Sequence, residues 1–249
     1  MRESLKFVVI GLGVQGYKRK KAADNNVVAT IDPINPEATY KDIQDISLSE
    51  YDAAFVCTPD EEKIELLIYL LNNGKHVLVE KPLLTENDSE LEALQLLAIK
   101  NDAVCYTAYN HRFEPHFVNM KRVLDSGELG NIYSLRMFYG NGTARLVRDS
   151  GWRDQSAGVL PDLGSHLLDT LRFWLGDNSG IDFSVSGSYC HENKSFDHVI
   201  LGSNSNLSIQ LEMMMLSWRN HFTCDLFAEK GSVHIESLCK WGPSTFTHR

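Results

Sequence analysis

Apolar and polar positions along the first part of the chain alternate between two textures. Short, almost wholly apolar runs at 7–10, 27–31, 53–57, 76–79 and 103–107 read as buried strands. Between them lie segments with apolar residues at helical spacing. The segment 61–73 carries acids in its first turn and is closed by Gly74, and 87–100 has Leu91, Leu94 and Leu97 as its apolar stripe. A helix also starts at 17–23, whereas Pro33 and Pro36 make 33–37 a loop and 42–51 holds at most one short helix. Strand and helix in strict alternation predict an α/β, doubly wound parallel sheet over residues 1–110.

Beyond this point the pattern changes. A helix is predicted over 114–126, a strand over 132–139, an irregular stretch over 140–155 and a strong helix over 160–175. Runs at 183–189, 198–201, 207–216, 222–228 and 232–236, separated by turn residues, predict a largely antiparallel open sheet. Residues 111–249 are therefore expected to form an α+β second domain.

The first strand runs into Gly11, Gly13 and Gly16, spaced G-x-G-x-x-G, with Val14 and Gln15 between them. In a strand–turn–helix, such glycines allow a sharp bend, close approach of a pyrophosphate and tight helix–strand packing. The helix N-terminus then offers free N–H groups and the positive end of a dipole. The second strand ends in Asp32, where a ribose-binding acid belongs, and a carboxylate there repels a 2′-phosphate. The expected cofactor is NAD, with NADP disfavoured. A strand–helix turn without a ligand is the alternative.

The 249 residues carry a net charge of −9, which argues against a general nucleic-acid surface. Five scattered cysteines without a C-x-x-C pair predict reduced thiols and a cytoplasmic protein. No apolar run is long enough to span a membrane, and the N-terminus leads straight into the first strand, so no signal peptide is expected.

Other chemistry collects at strand ends and on one helix. Lys81 stands between Glu80 and Pro82, and the proline biases it toward an extended backbone. A lysine at the nicotinamide end of a cofactor can polarise a substrate hydroxyl; a plain surface lysine is the rival reading. On the helix 160–175, Asp162, His166 and Asp169 are spaced to share one face, opposite Leu163, Leu167, Leu171 and Trp174. His166 suits acid–base work near neutral pH, with Asp162 orienting it or binding substrate. A merely solvated stripe and a metal site are the alternatives, but no second ligand cluster supports a metal. Arg145, Arg148 and Arg153 are candidate donors to a phosphate or carboxylate.

Taken together, Gly11–Gly16, Thr58-Pro59, Glu80-Lys81-Pro82, Tyr109-Asn110-His111-Arg112-Phe113, Gly151-Trp152-Arg153 and the stretch 158–166 resemble the Gfo/Idh/MocA oxidoreductase family. The resemblance implies hydride transfer between a nicotinamide cofactor and a carbinol carbon of a sugar, cyclitol or sugar nucleotide. It implies Lys81, Asp162 and His166 as catalytic residues, Glu80 and Asn110 near the nicotinamide, and Thr58 and Pro59 near the adenosine half. It also implies Trp152 and Arg153 at cofactor or substrate, and a homodimer or homotetramer built on the open sheet.

Asp60 and Lys63 depart from the pattern, where the family often has Asn and His. The chain is also shorter than family members usually run, so the second domain is expected to be reduced or truncated. A non-catalytic dinucleotide sensor or assembly subunit on the same fold is the second reading.

Overall fold

The computed structural model describes residues 4–85, 87–150, 153–155, 157–176 and 180–249. The chain divides into two compact units, Met1–Ala108 and Tyr109–Arg249.

The first unit is the expected doubly wound sheet. Strands β1 (Phe7–Ile10), β2 (Val27–Ile31), β3 (Ala53–Val56), β4 (His76–Val79) and β5 (Cys105–Thr107) are all parallel, in the order β2-β1-β3-β4-β5. Helices α1 (Val14–Ala23), α2 (Asp60–Asn72) and α3 (Asp88–Lys100) supply the crossovers. The strands read as continuous apolar runs because they lie between helical layers: Val8, Val9, Val56 and Val79 are fully buried. The order reverses at β1, whose neighbours are β2 and β3, so the ends of β1 and β3 flank a switch-point crevice.

Two local expectations change. The segment 42–51 is not one helix but two short 3₁₀ turns, Ile43–Asp45 and Leu48–Glu50, each opened by a side-chain cap from Asp42 or Ser47. On α3 the buried stripe is Leu94 and Ala98, with Leu97 packed beside them, whereas Leu91 is exposed one turn nearer the N-terminus.

In the second unit, a seven-stranded sheet has the order β12-β11-β10-β6-β9-β8-β7. Its strands are β6 (Ile132–Gly140), β7 (Phe183–Tyr189), β8 (His198–Ser203), β9 (Ser208–Met214), β10 (His221–Ala228), β11 (Gly231–Glu236) and β12 (Thr245–His248). All neighbours are antiparallel except β6 and β9. The closing residues, which carried no predicted element, form β12 on the edge beside β11.

Period-two alternation sends Leu135, Met137, Leu211, Met213, Phe222 and Leu226 into a core with α4 (Pro115–Ser126), the short α5 (Ala144–Arg148) and α6 (Ser165–Leu175). Each buried Leu or Phe contributes on the order of 1.5–3 kcal/mol. The Trp174 indole donates to the Phe117 carbonyl at 3.0 Å and so ties α6 to α4. Tyr133, Arg136, Gln210 and Phe227 point to the opposite face and are exposed.

The strong helix expected over 160–175 is not uniform. Its first turn, Leu160–Gly164, is wound as a π-helix, and regular α-helix begins at Ser165. Pro161 fits this opening turn, where a missing N–H costs nothing. A Cβ on Gly164 would lie 2.8 Å from the Met213 sulfur, so the π turn sits tightly on β9. π-turns occur frequently at functional sites.

Candidate functional site

The first unit carries a backbone-built site. Gly11 has φ +87°, and a Cβ there would meet the Cys57 carbonyl oxygen at 2.8 Å. A Cβ on Gly16 would fall 1.9 Å from the Gly11 carbonyl oxygen. Both glycines are thus dictated by the chain's own packing. Gly13 is different: a Cβ there would meet nothing within 4 Å. The chain's own packing does not require a glycine at this position, and the space it leaves suits close approach of a pyrophosphate. Gly13 is also the N-cap of α1 and provides no side-chain cap, which leaves the first-turn amides around Val14 and Gln15 for a ligand.

Asp32 follows β2 and is held by the backbone. Its Oδ2 accepts from the Leu12 amide at 2.8 Å, and its Oδ1 accepts from the Ile34 and Asn35 amides at 2.9 and 2.8 Å. Burial pushes this carboxyl upward, but the three amides and nearby Lys41 outweigh it and hold the group below the usual carboxylate range. Three of about four lone-pair sites are taken, so one remains on Oδ2 for a further donor.

Beside it lies a cleft of about 360 Å³ lined by Gly11, Ile31, Pro33, Lys41, Thr58 and Tyr69 among others. The Thr58 hydroxyl is buried and has no hydrogen-bond partner among the described residues. An open glycine cradle, free helix amides, an ionised acid with one site left and an orphan hydroxyl form a donor set that fits a dinucleotide.

The Glu80-Lys81-Pro82 turn is pinned from below. Lys63, only 2% exposed, donates from Nζ to Asp60 Oδ1 at 2.5 Å, to the Glu80 carbonyl at 2.8 Å and to the Pro82 carbonyl at 2.7 Å. All three ammonium donors are used, and two grip the carbonyls on either side of Lys81. The Lys81–Pro82 peptide is cis, and Lys81 is partly buried. Glu80 is paired with α1: Arg19 Nε and Nη2 reach its Oε1 at 2.7 and 2.6 Å. The neighbouring Cys57 thiol is pushed up to about 12, by burial first and by Glu80 second, so it is no nucleophile.

The second unit builds a site from side chains. His166 opens α6, is 7% exposed and is caged by aromatic rings. His111, 1% exposed, stacks on it at 4.4 Å between centroids with planes 24° apart. Tyr109 and Tyr139 present edges at 5.8 and 6.0 Å. The Lys240 ammonium lies 3.4 Å from His111 Nε2. Burial pushes the Tyr139 phenol far up, and the charges of Asp162 and Glu114 add to this, so it stays a neutral hydroxyl.

Asp162 lies in the π turn, partly buried, with Arg153 Nη2 at 3.7 Å from its Oδ2. Asp169, the third member of the predicted stripe, is committed elsewhere: Arg112 reaches its two oxygens at 2.5–3.1 Å. Asn110 is exposed in the 3₁₀ turn Asn110–Phe113. Trp152 lies outside the described residues. Among the described residues no group of three or more His, Cys, Asp or Glu side chains is placed to hold a metal.

Sequence reasoning assigned no such role to several of these residues. Lys63 sits on the buried face of α2 with Leu67, Leu70 and Leu71, an inward position that its charge disguised. His111 adjoins Asn110 in the quoted motif, but only the fold reveals its ring against His166. Arg19 is one of a run of basic residues and is distinguished by its pairing with Glu80.

Residues 5–109 match the family model described as the oxidoreductase family with NAD-binding Rossmann fold, and residues 117–234 match the GFO/IDH/MocA C-terminal domain. The scyllo-inositol 2-dehydrogenase (NAD(+)) of Bacillus subtilis is 27% identical over 199 residues, which cover 71% of this chain and 55% of that protein. The inositol 2-dehydrogenase of Rhizobium meliloti is 26% identical over 188 residues, 70% of this chain and 56% of that protein. The chain thus spans about half the length of the curated relatives it matches. Among solved structures, the WlbA dehydrogenase from Bordetella pertussis, in complex with NADH and UDP-GlcNAcA, has the same fold. It superposes with a TM-score of 0.79 at 17% identity, over 95% of this chain and 80% of that one. With two matched domains in the family's order, and the glycine turn and the His166 helix in their expected elements, this chain belongs to the Gfo/Idh/MocA oxidoreductase family.

Proposed function

We propose that the protein is an NAD-dependent dehydrogenase acting on a CH–OH group of a sugar, cyclitol or sugar nucleotide. The observation that carries the cofactor half of this reading is Gly13, a glycine with no neighbour of its own to accommodate. Asp32 supports NAD over NADP. Its ionised carboxylate has one acceptor site left for a ribose hydroxyl and repels a 2′-phosphate. Thr58 and Pro59 serve the adenosine half beside the cleft, and Glu80 and Asn110 serve the nicotinamide end.

The bound nicotinamide supplies a two-electron hydride acceptor and donor. The chain's own residues handle binding and the proton. Lys81 hydrogen-bonds the substrate oxygen and stabilises its developing negative charge. His166 takes the hydroxyl proton during oxidation and returns it during reduction. Asp162 binds a neighbouring hydroxyl or fixes the imidazole, with Arg153 holding Asp162, and Trp152 and Arg153 complete the substrate wall. The inositol dehydrogenases among the relatives support a polyol substrate.

The exposed face of the seven-stranded sheet, with Tyr133 and Phe227 on it, supports a homodimer or homotetramer. No helix of the described chain is long and apolar enough to cross a membrane, and a cytoplasmic location is part of the same reading.

The test is a screen of polyols and sugar nucleotides for NADH formation, repeated with Lys81→Ala and His166→Ala. Both variants are expected to lose turnover and to keep NADH binding. Full turnover in both sinks the assignment of roles.

A further inference from the structure

A second feature of the Tyr109–Arg249 unit stands outside the residues assigned above. Trp218, in the connection from β9 to β10, is 79% exposed and has φ +60°. A bulky residue with positive φ is an outlier that the surrounding structure must enforce. That enforcement is visible. The Ser217 amide donates to the Asn141 carbonyl at 3.0 Å, and the Asn141 amide to the Met214 carbonyl at 2.9 Å. A Cβ on Gly142 would lie 2.6 Å from the Trp218 carbonyl oxygen, so the two loops touch backbone to backbone. The chain therefore fixes the backbone at Trp218 and leaves a large indole in solvent, where it gains little from burial.

The indole forms one wall of a cleft of about 180 Å³ that also includes Arg145, Glu192 and Met215. The Arg145 guanidinium lies over the indole at 5.1 Å. Arg145 approaches the Glu192 carboxylate only to 3.6 Å, beyond hydrogen-bond distance, so both keep capacity for other polar partners, while Arg148, 3.7 Å from Glu192, also pairs with Asp149. The third loop is fixed as well. Asp197, fully buried, accepts from the amides of His191, Glu192 and Asn193, and its carbonyl accepts from the Met215 amide at 2.8 Å. The cleft hangs from the sheet end that carries His166's neighbour Tyr139: Gly140 pairs with Met214 on one side and His221 on the other.

We propose that this cleft is a subsite for a second hydroxylated ring of the substrate, attached to the ring whose carbinol is oxidised. Its chemistry is that of a sugar platform: an indole for the apolar face of the ring, a carboxylate to accept from its hydroxyls and guanidinium groups to donate to them. The proposal rests on the polyol dehydrogenase reading and narrows the substrate class from a single cyclitol or sugar to a glycosylated one.

The experiment follows the Trp218 indole N–H by NMR, assigned with Trp218→Phe, in the NADH-loaded protein titrated with myo-inositol, methyl β-D-glucopyranoside and cellobiose. The two glucosides are expected to shift this resonance saturably, and Arg145→Ala and Glu192→Gln to weaken that binding about tenfold. Steady-state kinetics with myo-inositol and a glucosyl-inositol provide the second arm. Trp218→Ala is expected to lower the ratio of kcat/KM for the two-ring over the one-ring substrate about tenfold. No shift with any glucoside, or an unchanged ratio, overturns the subsite even while His166→Ala abolishes turnover. Turnover that survives in His166→Ala is the separate failure of the underlying reading.

Discussion

The glycine turn of the first unit and the His166 helix of the second reach site geometry by opposite means. The turn is made of backbone. Two of its glycines satisfy the chain's own packing, the third leaves a space, and Asp32 is tethered by three amides within a few residues of chain. The His166 site is made of side chains gathered from distant segments: His111 and Tyr109 before α4, Tyr139 from β6, and Lys240 after β11. A local backbone site announces itself by spacing, whereas a long-range cage does not. The two also differ in how they fail. Damage at Gly11 or Gly16 strikes the chain's own packing, whereas truncation of His166 is expected to strike the proposed reaction.

The largest effect that sharpens this contrast is on turnover. His166→Ala is expected to lower kcat by about 10²–10⁴-fold, the usual worth of a positioned acid–base group, with NADH affinity retained. A stopped-flow and titration pair on the same sample reads both. Gly16→Ala should do the reverse, because its Cβ falls on a backbone oxygen. The expected loss is about 3 kcal/mol or more of stability, visible in urea denaturation, together with cofactor binding. Lys63→Met leaves Asp60 and two carbonyls without their ammonium. Asp60 is exposed, so the expected loss is that of the carbonyls left unpaired, about 1–3 kcal/mol, again read by denaturation, and a silent substitution would mean that the Lys81 turn holds itself.

These cases show how much was legible in advance. The parallel sheet, the glycine spacing and Asp32 were readable because strand, turn and helix are each encoded within a short window. The open antiparallel sheet was readable from alternation, but its parallel β6–β9 pair and the edge strand Thr245–His248 were not, since strand partners are set by tertiary packing. The polar stripe of the long helix was seen as one face. The π turn at Leu160–Gly164 and the capture of Asp169 by Arg112 divide it, and neither has a local sequence signal.

The smallest expected effect concerns pH. The folded-state carboxyl of Asp32 lies below its unfolded value, so it stabilises the fold fully above the unfolded value near 3.9 and loses that contribution as pH falls through the lower folded value. Acid denaturation of Asp32→Asn is therefore expected to start from a lower plateau and to be flatter below about pH 4 than that of the parent protein. Identical acid limbs would mean that the three amides do not hold the charge.

The most direct test of the central claim is a fluorescence titration of the folded protein and its Gly13→Ala variant with NADH and NADPH. The account predicts that NADH binds the parent protein well and NADPH poorly. It also predicts that Gly13→Ala keeps parental stability while losing at least about tenfold in NADH affinity, because its added methyl meets only the ligand. Equal NADH binding by parent and variant, or binding of neither nucleotide by a well-folded parent, would contradict it.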